Sequence, residues 1–297
     1  MSTATPTISA ALVKELRERT SAGMMECKRA LQENMGDIEK AIKYMREKGQ
    51  AKADKKADRI AAEGTIVILI SSDQKQGVLM EINCETDFVG RDSHFINFAQ
   101  AAAQKILSAN IHTLEDALNL KLDSGETIDE MRRDLVSKLG ENIQIRRFVN
   151  KTSKHQLISY VHGGRIGALV ELEGGDANLG KDIAMHIVAS HPLVINPQDV
   201  PQEVIQTEKD IFSAQALASG KPANIVEKMI EGRIKKYVDE ISLLGQPFVK
   251  NPDQSVGNLL DQHKAKVHSF TRYAVGEGIE KKVEDFAEAV MAQVRGS

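Results

Sequence analysis

The 297-residue chain sets 39 Lys and Arg against 42 Asp and Glu, a net charge of −3, and is 41% hydrophobic but only 4% aromatic, with no Trp. This ordinary globular balance gives no electrostatic case for a dedicated nucleic-acid binder. Only Cys27 and Cys84 are present, too few for a disulfide framework, and no apolar run is long enough to span a bilayer, so a reducing cytoplasm is expected.

The opening Met-Ser-Thr-Ala-Thr-Pro does not read as a signal peptide. Residues 9–49 then read as three short helices. Ser9 caps the first, with Leu12, Val13 and Leu16 on one face. Ser21-Ala22-Gly23 breaks the chain, and Met24, Met25, Cys27, Lys28 and Leu31 sit on the second. Gly36 ends that helix and Asp37 caps the third, which Ile38, Ile42 and Met45 line and Gly49 ends. Residues 1–50 are thus expected to form a three-helix bundle. A charged linker, residues 51–64, follows. The basic stretch Lys43, Arg46, Lys48, Lys52, Lys55, Lys56 and Arg59 reads as solvated helix rather than as an RNA contact.

Residues 65–71 form an apolar, β-branched run, hence a buried strand. Residues 77–83 alternate and read as a half-buried strand. Cys84-Glu85-Thr86-Asp87-Phe88-Val89 follows, between that strand and a helix marked by Phe95, Phe98, Ala99, Ala102 and Ile106. A large aromatic beside an acid is unusual in such a connection. Taken alone, these residues favour Asp87 as a helix cap and Phe88 folded back as a hydrophobic plug. The alternative leaves Phe88 free for a partner. Residues 114–122 and 128–139 give two more helical patterns, and residues 143–148 return to strand.

The pattern then recurs. Residues 155–161 are a strand, and His162-Gly163-Gly164-Arg165 its turn. Residues 167–172 repeat the Gly, Leu and Glu of residues 77–82 at an offset of 90, from Gly77 to Gly167. A helix follows at residues 183–190. Residues 267–273 close the second unit as residues 142–148 close the first, with Arg147-Phe148 matched to Arg272-Tyr273. Two copies of one α+β unit are expected, over residues 65–150 and 151–280. The second carries an inserted helical hairpin at residues 201–245, broken at Ser219-Gly220-Lys221-Pro222. Ile230, Ile234, Tyr237, Ile241 and Leu244 form its seam, facing Val204, Ile211 and Ala218. Val283, Phe286, Ala287, Val290 and Val294 mark a terminal helix in residues 281–297.

Little here suggests bond-making. There is no phosphate-binding loop and no dinucleotide fingerprint. His186 and His191 are five apart, too far for a zinc pair on one helix face, and read as surface or interface histidines. Cys84 lacks a neighbouring base and reads as a small buried thiol. Asp87 and Asp92 lack a third oxygen ligand for a metal. No catalytic residue, cofactor or metal is expected. Two rivals, an RNA binder using residues 43–59 and an enzyme using Cys84 or the histidines, are disfavoured by the net charge and the missing base.

Several stretches together resemble the bacterial translation elongation factor Ts family. They are Leu12-Val-Lys-Glu-Leu-Arg-Glu-Arg-Thr20 with Ala22-Gly-Met-Met25, Cys27-Lys28 and Ala30-Leu31; Asn83-Cys84-Glu85-Thr86-Asp87-Phe88-Val89; His162-Gly163 and Arg165-Ile166-Gly167; Gly245-Gln246-Pro247-Phe248-Val249; and Val275-Gly276-Glu277-Gly278-Ile279-Glu280. The resemblance covers nearly the whole chain. It implies an exchange factor, not an enzyme, for the GTPase elongation factor Tu in its GDP-bound and nucleotide-free forms. It also implies a ubiquitin-associated-like bundle on the partner's nucleotide domain, with Leu12, Met24 and Met25 in contact. Thr86, Asp87, Phe88 and Val89 would act near the bound magnesium, Phe88 entering an apolar pocket so that GDP leaves. His162 would grip another domain of the partner. No role falls on Glu85. No direct nucleic-acid or membrane contact is expected, and a heterotetramer or homodimer is compatible with the hairpin.

Overall fold

The computed structural model describes residues 8–20, 22–217 and 223–280. It is an α+β chain, with helices leading into small antiparallel sheets. First come α1 (Ala10–Thr20), α2 (Met24–Glu33) and α3 (Ile38–Asp54). Ser9 accepts the amide of Leu12 and Asp37 that of Lys40, so both expected caps act. The three helices bury Val13, Leu16, Cys27, Ala30, Leu31 and Ala41 between them.

Helix α3 does not end at Gly49 but runs on to Asp54. A Cβ at Gly49 would lie 3.3 Å from Ser137 Oγ, so this glycine permits close helix approach instead of marking a stop. Ala53 thereby joins the core of the next unit, and Arg133 pairs with Asp54 at 3.1 Å.

The first unit runs β1 (Glu63–Ile70), β2 (Gln76–Cys84), α4 (Asp87–Gly90), α5 (Ser93–Ala109), α6 (Leu114–Asn119), α7 (Ile128–Leu139) and β3 (Gln144–Thr152), with sheet order β1-β2-β3. Strand β2 is buried from Gly77 to Cys84, not half-buried. Met80, Ile82 and Cys84 face the core beneath α5, while Leu79 faces the second sheet. Its polar residues mimic an exposed face because Glu81 and Asn83 are buried with partners.

The second unit runs β4 (Gln156–His162), β5 (Ile166–Glu173) and α8 (Ala177–Ser190). After a short 3-10 turn come α9 (Gln202–Leu217) and α10 (Ala223–Ile241), the two arms of the hairpin. Leu244 lies beyond α10; Ala218, the Ser219–Pro222 break and the terminal helix fall outside the described residues. Sequence reading missed the next elements, β6 (Pro247–Phe248), β7 (Asn251–Ser255) and α11 (Val256–Gln262); β8 (Lys266–Ala274) then completes the sheet β4-β5-β8.

Register confirms the repeat and corrects one match. Glu81 pairs with Arg147 and Glu171 with Ser269, and each sheet has a bulge immediately after that pair. The central strands are therefore offset by 90 and the closing strands by 122, from Arg147 to Ser269. Phe148 corresponds to Phe270, not to Tyr273. Arg147-Phe148 and Arg272-Tyr273 look alike in sequence, but the insertion hides an offset that is three residues shorter.

Candidate partner interface

The strand-to-helix connection after β2 is held from several sides. The backbone N–H groups of Glu85 and Thr86 donate to Glu141 at 3.1 and 2.9 Å, and the Thr86 hydroxyl donates to the same carboxylate at 2.6 Å. In return the Asn142 N–H donates to Glu85 at 2.6 Å. Cys84 donates to the Thr86 carbonyl at 3.1 Å. Burial, then the nearby Glu141 and Glu63 carboxylates, push the Cys84 thiol up to about 12, so it stays protonated. Glu85, Glu141 and Asn142 carried no signal in the sequence, because the pinning residues lie more than fifty positions away.

Thr86, not Asp87, caps the single-turn α4, accepting from the Val89 N–H at 3.5 Å. Val89 turns into the core, and Asp87 pairs with Arg91 at 3.0 Å. Phe88 is not a plug: it is 83% exposed. One helical turn directs neighbouring residues about 100° apart, so burying Val89 turns Phe88 outward. Arg91 and Asp92 then interrupt the helix, Asp92 capping α5 through the His94 N–H.

The second copy shows what this interruption does. Asp176 caps α8 at the place equivalent to Thr86, ninety residues on, and Leu179 is buried as Val89 is. There the helix continues unbroken, and the position of Phe88 is taken by the exposed polar Asn178.

Phe88 borders an open cleft of about 680 Å³ lined also by Glu63, Thr65, Arg91, Gly164 and Arg165. The β4–β5 turn forms its far wall. Its Gly164 carbonyl accepts from the Ile66 N–H at 2.8 Å and from the Thr65 hydroxyl at 3.2 Å, and Arg165 pairs with Glu63. His162, exposed at the start of this turn, is 3.2 Å from the Tyr160 hydroxyl. The fold thus brings Thr86, Asp87, Phe88 and Val89 to the same edge as the His162 turn.

Leu12, Met24 and Met25 stand apart on the bundle. Met24 and Met25 are 60% and 72% exposed on the first turn of α2, whereas Leu12 packs partly into the bundle core. His186, expected at a surface, is fully buried: it lies 2.8 Å from Gln246 Oε1 and its Nδ1 accepts the Val249 N–H at 3.2 Å. Burial pulls its pKa down, which suits a neutral ring holding β6 against α8. His191 caps the end of α8 in a left-handed conformation, φ 48°, near Glu277. No helix among the described residues is long and apolar enough to cross a membrane.

The family model for elongation factor TS matches residues 85–277. Elongation factor Ts of Methylococcus capsulatus is 57% identical over 291 residues, covering 98% of this chain and 99% of its own. Those of Halorhodospira halophila and Legionella pneumophila are 55% and 56% identical over 290 and 289 residues, each with 99% of its own length covered.

Proposed function

Because the chain belongs to the elongation factor Ts family, we propose that it is the guanine nucleotide exchange factor of elongation factor Tu, binding the GDP form and promoting GDP release. The observation that carries this reading is Phe88, a large aromatic 83% exposed on a turn pinned by Glu141 and Thr86. An apolar side chain held rigidly in water forgoes the gain of burial, which a partner's pocket would supply. Phe88 enters such a pocket near the magnesium and phosphate site, and Asp87 and Thr86 dock around it. The groups that hold the metal shift, and GDP leaves.

Exchange makes and breaks no covalent bond, so it needs no acid, base or cofactor on this chain. It needs a surface that binds the nucleotide-free GTPase more tightly than the loaded one, a coupling that is reciprocal. The His162 turn supplies a second grip on the same partner beside the Phe88 cleft. Met24 and Met25 supply a third from the bundle. In this reading the bundle, the paired repeats and the hairpin each present a contact surface to the partner in the cytoplasm, with α3 joining the bundle to the first repeat.

The test is release of fluorescently labelled GDP from elongation factor Tu with and without this protein. Acceleration that saturates with added factor is expected. No acceleration, with a stable complex absent by sedimentation, overturns the proposal.

A further inference from the structure

We propose that His155, Glu173 and His268 form a site for one first-row divalent transition ion, with Zn²⁺ the fitting candidate, at the edge of the second sheet. The three side chains come from three separate segments. His155 lies on the connector between β3 and β4, its N–H donating to Ser153 Oγ at 2.9 Å. Glu173 is the last residue of β5. His268 is the residue skipped in the pairing of β5 with β8, at the bulge between Glu171 and Leu172. A bulge re-aims a side chain, and in the first copy the equivalent residue, Arg146, reaches Glu81.

The geometry fits with small adjustments. One donor atom from each residue lies within 4.8 Å of the other two. Tetrahedral zinc with bonds of about 2.1 Å holds its ligand atoms about 3.4 Å apart. His268 Nε2 and Glu173 Oε2 are already 2.7 Å apart, and the rings of His155 and His268 stack with centroids 4.2 Å apart. Parallel rings cannot both point a lone pair at one ion, so one must rotate about its soft Cβ–Cγ torsion. Glu173 and His268 are partly solvent-exposed, which leaves room for that turn. Two imidazoles and one carboxylate, with a fourth position left to water, are a donor set that zinc takes readily. To bind the ion through Nε2, a neutral His268 ring gives up the N–H it directs at Glu173 and carries its one ring proton on Nδ1 instead.

The consequence is structural. One ion ties the connector between the two copies to both the central and the closing strand of the second sheet. Lys266, opposite Glu173 in the register, opposes the ion by like charge, so Lys266→Gln should tighten binding.

The test uses the untagged full-length chain, stripped of metal, titrated with zinc chloride by calorimetry and with Co²⁺ by visible absorption. One ion per chain is expected, with a cobalt spectrum of low-symmetry four-coordinate type. His155→Gln and His268→Gln should each weaken binding at least tenfold, while His263→Gln leaves it unchanged; circular dichroism checks that each variant is folded. Absence of saturable binding overturns the proposal, as does equal binding by the folded His155→Gln/His268→Gln double variant. Either result makes the cluster a stacked histidine pair with an ion pair and nothing more.

Discussion

Replacing Phe88 by alanine separates a wedge from a structural residue. At 83% exposure the ring contributes little to the free protein, so the fold should lose less than about 0.5 kcal/mol. Buried in a partner, the same ring is worth about 2–3 kcal/mol. Each 1.4 kcal/mol on a barrier is about tenfold in rate. If that contact is made in the transition state for release and not on first docking, the saturated rate of GDP release should fall about 30- to 150-fold. The assay is stopped-flow release of fluorescent GDP from preloaded elongation factor Tu, with factor raised until the rate no longer climbs. Phe88→Leu, which keeps much of the apolar area, should fall between. A saturated rate within twofold of the parent, in a variant with the parent's melting curve, would refute the wedge.

His162→Ala should act the other way, raising the concentration of factor needed for half-maximal exchange more than it lowers the saturated rate; equal changes in both parameters for this variant and for Phe88→Ala would end the division of labour. Gly64→Ala should cost about 3 kcal/mol or more by urea denaturation, because φ is +140° and the new Cβ would lie 2.0 Å from the Ile82 carbonyl oxygen; a loss under 1 kcal/mol would show that β1 shifts freely. Stability should also fall in acid. Burial alone would raise Glu171, but hydrogen bonds from Ser153, Lys151 and Ser269 outweigh it and bring the group from the ordinary 4.5 down to about 2. The unfolded chain therefore binds the proton first, so this contribution is complete above pH 4.5 and is lost as the pH falls towards 2. Glu171→Gln should flatten that acid limb of the melting-temperature profile, and an unchanged limb would exclude the group.

The sequence disclosed most elements where a local rule governed them. Asp37 and Ser9 announced their helices because a cap acts within three residues. The repeat was legible because Gly, Leu and Glu recur on one face of a strand. What stayed hidden depended on distant partners. Gly49 looks like a stop until α7 is seen beside it. Glu81 and Asn83 made β2 look half-exposed, although their partners lie on Arg147 and on each other. Phe88 looked like a plug because its exposure is decided by Glu141 and Thr86, which fix the turn, and by the buried Val89. The pair β6 and β7 is too short to announce itself by alternation.

The three residues that repeat at an offset of 90 turn out to have one purpose. Gly77, Leu79 and Glu81 alternate along β2, as Gly167, Leu169 and Glu171 do along β5, so each set lines one face, the face turned to the other sheet. Register makes Ile70 equivalent to Val161, and hence Ile66 to Leu157. The cluster between the sheets, Ile66, Leu79, Leu157 and Leu169, is therefore two positions of the repeat, each used once in each copy. The glycines let the sheets close: a Cβ at Gly77 would meet Leu157 and Leu169 at 3.2 Å, and one at Gly167 would meet Ile66 at 2.7 Å. The acids then reach across. Glu81, fully buried, accepts from Arg146, from Arg147 and from the Gly276 N–H beyond β8 at 2.8 Å. Glu171 of the second copy accepts from Lys151 on β3 and from Ser153 just after it. Arg147 also lies over the Tyr273 ring, 4.2 Å from its centre. Phe88 hangs from the end of one of these sheets and His162 from the other, so the clamp fixes their separation before any partner arrives. Two contacts held at a set distance lose less freedom on docking than two on a flexible hinge. Duplication of one unit thus supplies the rigid frame, and the broken helix after Gly90 in the first copy makes one end of that frame differ from the other.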